Sequence, residues 1–399
     1  MSAGHVDHGK TTLVYGLTGK WTDTHSEEIK RGITIKLGYA DAAIYKCPKC
    51  PAPQAYGTSP KCGKCGGEAT LERRVSFVDA PGHETLMATV IAASSIVDGA
   101  LFVIAANEKC PQPQTAEHLA VLEAAGIKNV IIAQNKVDLV TRERALEHLK
   151  EIGEFLKGSS YEKAPVIPTS ANSRLNMDAL IQSIQENIPT PKRNPNTAPI
   201  MYVARSFDVN KPGTGIEKIR GGVVGGSLVK GVLRSGDEIE LLPGIFVQRK
   251  GKDFYEPVKT RIVSLNAGGE EVKEAGPGGL IGVATLLDPS LTRADALVGC
   301  VAGKPGAVPR VWRELVAEVF PVARQMQKFP ETFVQNEPLV LGVGTATTVG
   351  FVTGVKKKKN FIVTLQLKKP MCADKETPLA VMRRTQNRWH LYGTAKIVS

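Results

Sequence analysis

The stretch GHVDHGKTT, Gly4–Thr12, decides the fold of the first half of this chain. It fits the pattern G-x-x-x-x-G-K-[ST], whose glycines let backbone N–H groups turn inward on phosphate groups. Lys10 supplies a positive charge for the β and γ phosphates, and the Thr11 hydroxyl can bind Mg²⁺. Such a loop normally joins a β-strand to a helix, so we expect an α/β domain with a phosphate-binding loop.

Short apolar runs alternate with amphipathic stretches from Leu71 to about Pro189. The runs are rich in Val, Ile and Ala without strict alternation, as in strands covered on both faces: RVSFVDA, ALFVIAA, NVIIAQN and APVIPTS. Helical spacing is found between them, at His83–Val97, Thr115–Gly126, Arg142–Lys157 and Asn176–Ile188. This βαβ series predicts a mostly parallel sheet with helices on both sides.

The segment TPKRNPNTAP, Thr190–Pro199, is typical of a linker, and the composition and hydrophobic pattern of the sequence change after it. Residues 200 to about 309 are dense in glycine, with short alternating strands and a tight SGD turn, a pattern that predicts a small antiparallel barrel. From about Val311 the pattern stays β-like and predicts a second barrel. We therefore expect domains at 1–195, 196–309 and 310–399.

Length, composition and charge narrow the class of protein. A chain of 399 residues with 42% hydrophobic and 23% charged residues should fold as two or three domains. It contains neither an apolar run of the roughly 18 to 20 residues that span a bilayer nor a signal-peptide core, so we expect a cytoplasmic protein without a membrane partner. Of the net charge of +12, +9 lies in Arg310–Ser399, where 15 basic residues face 6 acidic ones. A polyanion is the natural partner of such a segment, and a solubilising surface is the alternative.

Three further motifs predict which nucleotide the loop binds. DAPGH, Asp79–His83, follows a strand, where an aspartate would reach the Mg²⁺ shell and the Gly82 amide could meet a γ-phosphate. In NKVD, Asn135–Asp138, the Asp138 carboxylate can accept hydrogen bonds from the N1–H and exocyclic amine of guanine, donors that adenine lacks in that geometry. TSAN, Thr169–Asn172, follows the last strand, where its backbone can touch the guanine O6. The nucleotide is therefore expected to be GTP.

Two residues of the loops between these motifs are candidates for switching and catalysis. Thr34 in RGITI could place its hydroxyl and carbonyl on Mg²⁺ and the γ-phosphate, or could be an ordinary strand residue. His83 stands where small GTPases have a water-orienting Gln, and we favour a catalytic role for its imidazole over a helix N-terminal position without a role.

Four of the seven cysteines form two CxxC pairs with eleven residues between them. Cys47, Cys50, Cys62 and Cys65 thus have the spacing of a structural tetrahedral Cys₄ zinc site, inserted at about residues 45–70. Disulfides are the alternative, which a reducing compartment disfavours. The other three cysteines are expected to be plain buried residues.

Together these motifs resemble those of translational GTPases, most closely the gamma subunits of archaeal translation initiation factor 2. The resemblance rests on GHVDHGKTTL, RGITIKLGYADA, the cysteine pairs after it, DAPGHETLMATVIAASSIVDGALFVIAANE, AQNKVDLV, GGVVGGSLVKGVLRSGDEIELLPG and the basic β segment at the end. It covers essentially the whole chain and implies an α/β P-loop GTPase domain followed by two β-barrel domains. GHVDHGKT and DAPGH alone fit any member of this GTPase class, whereas the cysteine pairs after KLGYADA are the narrower signal.

The resemblance implies a GTP-dependent carrier of initiator methionyl-tRNA that delivers it to the small ribosomal subunit, with hydrolysis of GTP to GDP ending delivery. Its partners would be the alpha and beta subunits of the same factor, and its cofactors Mg²⁺ and zinc. The implied nucleotide residues are Asp7, His8, Gly9, Lys10, Thr11, Thr12, Thr34, Asp79, Gly82, Asn135, Lys136, Asp138, Ser170, Ala171 and Asn172, with His83 catalytic. Those implied for Mg²⁺ are Asp7, Thr11, Thr34 and Asp79.

Candidates for tRNA contacts lie at both ends of the chain. Tyr39 in KLGY could stack on the 3′-terminal adenosine of the tRNA, or be a core tyrosine on a strand. The lysines of KKKKN, Lys356, Lys357, Lys358 and Lys359, together with Arg383, Arg384 and Arg388, suit RNA phosphates, and a solvated hairpin tip is the alternative.

The sequence departs from the family at its start. The family has a strand of the type NIGMV directly before the first loop, whereas only Met1, Ser2 and Ala3 stand here. Three residues are fewer than the usual five or six of a core strand. We expect that the sequence begins late, the alternative being a gap in the sheet with unpaired backbone groups.

Two other functions fit the same motifs. An elongation-type or selenocysteine-specific tRNA carrier is the first, although the latter normally carries a further C-terminal domain, for which the end at Ser399 leaves no room. The GTPase subunit of sulfate activation is the second, and it has no need of a basic third domain.

Overall fold

The computed structural model describes residues 1–22, 37–82, 87–322, 327–385 and 388–399, and of Lys252 only the backbone. The chain forms two compact units, Met1–Pro191 and Lys192–Ser399. The first is an α/β unit, and the second is built of β-strands.

The described part of the first unit is a mixed seven-stranded sheet with helices. Its strands are β1 (Ser2–Ala3), β2 (Gly38–Lys46), β3 (Tyr56–Gly57), β4 (Thr70–Asp79), β5 (Gly99–Ala105), β6 (Asn129–Asn135) and β7 (Val166–Pro168). Its helices are α1 (Lys10–Thr18), α2 (Met87–Ser94), α3 (Pro113–Ala124), α4 (Arg142–Leu156) and α5 (Met177–Asn187). The order is β3-β2-β4-β1-β5-β6-β7, with β4, β1, β5, β6 and β7 parallel and β2 and β3 antiparallel.

The apolar runs of the sequence become the inner strands of this sheet. Every residue of β5 and all but the first of β6 are buried, which explains why these strands lack polar–apolar alternation. Helices α1 and α5 pack on the sheet through residues such as Leu13 and Leu180, which join Val103 and Ile131 in one core.

Strand β1 occupies the centre of the sheet with only two residues. Ser2 lies opposite Asp79 on one side and Leu101 on the other, and Ala3 lies opposite Phe102. The Leu101 N–H also donates to the Met1 carbonyl at 2.7 Å. The segment before the phosphate loop therefore pairs with both neighbouring strands.

The second unit begins with a barrel whose strands are β8 (Ile200–Phe207), β9 (Val223–Lys230), β11 (Glu238–Arg249), β12 (Lys252–Ala267), β15 (Ile281–Thr285) and β16 (Val301–Gly303). The order β11-β16-β8-β9-β15-β12 is closed by pairing of β11 with β12. Short strands β10 (Leu233–Arg234), β13 (Glu270–Val272) and β14 (Glu274–Ala275) lie beside it. The predicted SGD turn is present, with Gly236 at φ 91° and the Asp237 N–H donating to the Arg234 carbonyl.

A closed six-stranded barrel follows. Its strands are β17 (Val311–Pro321), β18 (Pro338–Val343), β19 (Ala346–Lys357), β20 (Phe361–Cys372), β21 (Leu379–Thr385) and β22 (Arg388–Ile397), in the order β17-β20-β19-β18-β21-β22. Inward residues such as Leu315, Leu341, Val363 and Val381 fill it. The predicted fold class, an α/β P-loop domain followed by two barrels, is confirmed. Among the described residues, every helix is too short or too polar to cross a lipid bilayer.

Candidate nucleotide site and cysteine cluster

The phosphate loop, residues 4–9, joins β1 to α1. Both glycines of this loop have positive backbone φ angles, which favour glycine: 136° at Gly4 and 87° at Gly9. Added Cβ atoms would lie 2.3 Å from the Val103 carbonyl oxygen and 2.4 Å from the Asn135 Nδ2, respectively. The Lys10 ammonium donates to the His5 carbonyl at 2.6 Å, so its charge lies over the loop. The backbone amides of this loop and the nearby Lys10 ammonium can together hold phosphate groups.

Hydroxyl groups surround the carboxylate of Asp79 at the end of β4. Thr11 and Thr22 each donate to Asp79 Oδ2 at 2.7 Å, and Ser2 donates to Oδ1. Asp79 is fully buried. The predicted pair Thr11 and Asp79 is therefore brought together, and hard oxygen donors of this kind are the ligands that Mg²⁺ prefers. Sequence reasoning missed Ser2 and Thr22, for which no pattern in the sequence gave a signal.

Asn135, at the end of β6, links two other predicted segments. Its Nδ2 donates to the His8 carbonyl at 2.9 Å, and its Oδ1 accepts from the Ala171 N–H at 3.0 Å. The phosphate loop, the NKVD motif and the TSAN motif are thereby fixed to one another at one edge of the sheet. Ligands of parallel sheets bind at the carboxyl ends of the strands, which is where these segments meet.

The remaining predicted residues of this edge differ in exposure. Lys136 takes a left-handed backbone conformation with φ 60°. Ser170 is buried, and its hydroxyl accepts from the Ser173 N–H. Asp138 and Asn172 are exposed, so the Asp138 carboxylate is open to a ligand from solvent.

The side chain of His8 points away from the phosphate loop and contacts β5 and the segment after it. Its Nδ1 lies 3.1 Å from the Val103 carbonyl oxygen and its Nε2 lies 3.3 Å from a Glu108 carboxylate oxygen. Burial lowers the pKa of His8 to about 4, so the ring is neutral near pH 7. Only the backbone of His8 is therefore available for a phosphate group in the loop.

Two predicted residues lie outside the described residues. They are Thr34 of the first switch and His83 of the second. Gly82, directly before His83, is described, and an added Cβ there would lie 2.4 Å from the Lys10 Nζ. The second switch therefore begins in contact with the cation of the phosphate loop.

The candidate tRNA residues have different surroundings. Tyr39 is half-buried on β2, paired with Val78 of β4. The four lysines at the turn between β19 and β20 are exposed, and the Lys357 Nζ lies 5.5 Å from the ring centroid of Phe361.

The interpretation of Arg383 as a phosphate contact is wrong. Its side chain is 1% exposed, and its guanidinium donates to both Glu337 carboxylate oxygens, at 2.7 and 3.1 Å. It also donates to the carbonyls of Pro330 and Thr332 and lies over the Phe333 ring. The charge is paired inside the barrel, whereas Arg384 and Arg388 are exposed.

The four cysteines of the CxxC pairs come together between β2 and β4. Their Sγ atoms all lie within 4.8 Å of one another, with Cys47 and Cys65 3.6 Å apart and Cys50 and Cys62 3.7 Å apart. Four thiolates about 2.3 Å from a tetrahedral zinc are separated by about 3.8 Å, so the donor set fits this metal. Within this cluster, backbone N–H groups of Cys65 and Lys64 lower the pKa of Cys62 to about 6, whereas hydrogen bonding with the neighbouring thiols, Cys65 first, raises that of Cys50 to about 12.

The other cysteines behave as predicted. Cys110, Cys300 and Cys372 are buried and unpaired. Burial raises the pKa of the Cys110 thiol to about 12 and that of Cys300 to about 11. These three thiols stay protonated and pack as small hydrophobic side chains.

Family models match three segments of the chain. The elongation factor Tu GTP binding domain matches residues 1–190, elongation factor Tu domain 2 matches residues 221–303, and the C-terminal domain of initiation factor eIF2 gamma matches residues 311–397. The fold, the phosphate loop and these matches define the chain as a translational GTPase.

Curated relatives narrow the class. The chain is 54% identical over 394 residues to translation initiation factor 2 subunit gamma of Methanothermobacter thermautotrophicus, which covers 98% of this chain and 96% of that protein. It is 54% identical to the same subunit of Pyrococcus abyssi, over 98% and 94%, and of Archaeoglobus fulgidus, over 99% and 92%. The chain belongs to the family of translation initiation factor 2 gamma subunits.

Solved structures with the same fold include other translation factors. A bacterial selenocysteine-specific elongation factor matches with a TM-score of 0.74 and 25% identity, over 99% of this chain and 57% of that one. The elongation factor SelB of Methanococcus maripaludis, in complex with the GTP analogue GppNHp, matches with a TM-score of 0.72 and 22% identity, over 100% and 78%. The second likeness shows the shared fold alone.

Proposed function

We propose that this translation initiation GTPase carries initiator methionyl-tRNA to the small ribosomal subunit in its GTP-bound form and releases it after hydrolysis. Support comes from its membership of the gamma-subunit family and from the meeting of three nucleotide motifs at one sheet edge, held together by Asn135. The alpha and beta subunits of the same factor are its proposed partners, and the cytoplasm its proposed location. The proposed domains are 1–195, 196–309 and 310–399, with the zinc insertion at 45–70.

The proposed nucleotide site follows the sheet edge. Backbone amides of the phosphate loop and the Lys10 ammonium hold the phosphates, while the Asp138 carboxylate accepts from the guanine N1–H and amine. Asn135 holds the loops in register by accepting from the Ala171 N–H. We assign the backbone of the TSAN motif, Thr169–Asn172, to contact with the guanine O6. The other proposed contacts come from Asp7, His8, Gly9, Thr11, Thr12, Thr34, Asp79, Gly82, Lys136, Ser170 and Asn172.

Hydrolysis needs charge stabilisation and an oriented water. Bound Mg²⁺ would neutralise phosphate charge, and we assign Asp7, Thr11, Thr34 and Asp79 to its binding. Among these, Thr11 and Asp79 already lie in hydrogen-bond contact. We propose that His83 positions the attacking water. The Lys10 ammonium, which lies next to Gly82, would stabilise the negative charge that develops on the phosphate groups during hydrolysis.

The cysteine cluster has a structural role in this proposal. Four thiolates fill the coordination shell of zinc and leave no position for a substrate. The metal would fix the insertion between β2 and β4. It would thereby also fix the Lys46 end of β2, the strand on which Tyr39 lies.

The tRNA surface is proposed from charge and exposure. The lysines of the β19–β20 turn are exposed, and the C-terminal 90 residues carry +9 of the net charge of +12. Each lysine that neutralises a phosphate steepens the salt dependence of binding. Tyr39 is proposed to stack on the terminal adenosine.

Filter binding of initiator methionyl-tRNA over a salt series, with GTP analogue or GDP, tests the proposal. We expect tighter binding with the GTP analogue, weaker binding of elongator tRNA, and a steep negative salt slope. Replacing the four turn lysines by Gln should reduce the slope by roughly 2 to 4. The matched control replaces four exposed lysines of the first unit, Lys128, Lys150, Lys157 and Lys163. Equal binding of all tRNAs with either nucleotide would refute the proposal.

A further inference from the structure

His118 is a buried polar residue that neither the motifs nor the proposed site includes. It lies on α3, fully buried, and its Nδ1 accepts a hydrogen bond from the Gly4 N–H at 3.2 Å. Gly4 is the first residue of the phosphate loop, 114 positions away in the sequence. The imidazole therefore fixes the start of the loop from a helix behind it.

The ring is neutral, and this assigns its tautomer. Burial lowers the pKa of His118 to about 3, with the charge of Lys10 as the second cause. Since Nδ1 accepts from Gly4, the proton of the neutral ring lies on Nε2. This N–H is buried and has no properly formed hydrogen bond within the described residues.

The backbone of Gly82 lies close enough to the His118 ring to act on its pKa, which it raises, and within the described residues Nε2 makes no hydrogen bond of normal length and angle. Gly82 packs against the phosphate loop as well, since an added Cβ would lie 2.8 Å from the Val6 nitrogen. The same helix carries two further buried oxygens, Gln114 Oε1 and Thr115 Oγ1, that have no hydrogen-bond partner among the described residues. A buried donor that is poorly satisfied favours any rearrangement that completes its bond.

We infer that His118 is a positioning residue that couples the phosphate loop to the second switch through Gly4 and Gly82, and so raises the affinity for GTP relative to GDP. This inference rests on the nucleotide site proposed above. The bond to Gly4 serves both nucleotides, because both place phosphates in the loop. The contact with Gly82 serves GTP alone: a γ-phosphate that binds the Gly82 amide fixes this residue, and its carbonyl then completes the bond to Nε2.

Two amide variants, each of which can replace one ring nitrogen of His118, separate the two halves of this role. In His118→Asn, the amide oxygen can take the place of Nδ1 and accept from Gly4, but nothing reaches Gly82. In His118→Gln, the longer amide can place a donor near the position of Nε2. The matched control is His148→Asn. His148 is also a buried histidine whose Nε2 has no hydrogen-bond partner among the described residues, but its Nδ1 contacts Gln134 of β6 and not the phosphate loop.

The experiment measures the affinities of the full chain for fluorescently labelled GDP and for a labelled, non-hydrolysable GTP analogue, with Mg²⁺ present. We expect His118→Asn to keep its GDP affinity and to lose about five- to tenfold in the preference for the GTP analogue. His118→Gln should recover part of that preference, and His148→Asn should match the wild type. Thermal unfolding shows whether each variant is folded. If one His118 variant does not fold, the nucleotide preference of the other is compared with that of the wild type.

Equal losses for both nucleotides, or no change in their ratio, would overturn the inference and leave the proposed function intact. A His148→Asn variant that shifts the ratio as much as His118→Asn would also overturn it. A folded wild-type chain that binds neither nucleotide would overturn the proposed function, and the inference with it.

Discussion

The side-chain amide of Asn135 donates to the backbone carbonyl of His8 across 127 positions of sequence, at 2.9 Å. The same side chain accepts from the Ala171 N–H. One buried residue thus holds the phosphate loop and the proposed base-binding loops together, and the shape of the site depends on it.

Replacement of Asn135 by Ala should weaken both folding and nucleotide binding. The change leaves the His8 carbonyl and the Ala171 N–H without partners, at a cost of about 1–3 kcal/mol in the free energy of unfolding. Chemical denaturation and GDP titration measure the two effects. The control is Asn129→Ala, at the other end of β6, where the side chain donates to the Asp98 carbonyl and does not contact the phosphate loop in the described residues. Equal GDP affinities of the two variants would contradict the account.

Zinc content should depend on the four clustered cysteines and on no other. The full chain is expected to hold about one zinc by elemental analysis, because four Sγ atoms within 4.8 Å of one another can bind a single ion. Cys62→Ser should lose most of the metal and lower the melting temperature. Cys110→Ala, which removes a buried thiol elsewhere in the same unit, should keep it. Zinc retained by Cys62→Ser, or absent from the wild type, would refute the site.

Arg383 should be a stability residue of the last barrel. Arg383→Met leaves the Glu337 carboxylate, itself 14% exposed, without its cation, which costs about 3–5 kcal/mol for a buried pair. Arg384→Met, one residue along the same strand and exposed, should change stability by less than about 0.5 kcal/mol. Tryptophan fluorescence during urea unfolding compares them. If both variants unfold at the same urea concentration as the wild type, Arg383 is not the paired core residue described.

Buried neutral histidines should make the first unit sensitive to acid. The pKa of His118 is lowered by burial to about 3, so the unfolded chain takes up the proton first as the pH falls. The stability contributed by the neutral ring is therefore present above about pH 6.5 and is lost towards pH 3, at up to about 1.4 kcal/mol per pH unit.

Urea unfolding at several pH values checks this. Between pH 6 and 4.5 the free energy of unfolding of His118→Asn should fall less steeply with decreasing pH than that of the wild type. The difference in slope should correspond to about one proton taken up on unfolding. Above pH 7 the two curves should run parallel, which provides the internal control. Identical slopes below pH 6 would show that His118 does not titrate on unfolding.

Local patterns accounted for most of the fold. The buried runs of β5 and β6, the linker near Thr190 and the SGD turn each depend on neighbouring residues, so they can be recognised in the sequence. The mostly parallel sheet was predicted correctly, although β2 and β3 run antiparallel.

The errors and omissions came from contacts between distant residues. Arg383 belongs to a basic segment, and nothing local indicates that Glu337, 46 positions earlier, pairs with it inside a barrel. Ser2 reaches Asp79 and His118 reaches Gly4 in the same way. Burial of a polar group is decided by the assembled fold, which periodicity does not encode.

The most direct test of the central claim is calorimetry of GDP, GTP analogue, XDP and ADP binding to the full chain and to Asp138→Asn, with Glu154→Gln, an exposed acid on α4, as the control. The account predicts that the wild type and the control bind the guanine nucleotides and not ADP. Asp138→Asn should lose about 10- to 100-fold in guanine affinity, because a charged hydrogen-bond acceptor is removed, and should gain affinity for XDP, whose C2 carbonyl can accept from the new amide. ADP bound as tightly as GDP, or unchanged GDP affinity in Asp138→Asn, would contradict the account.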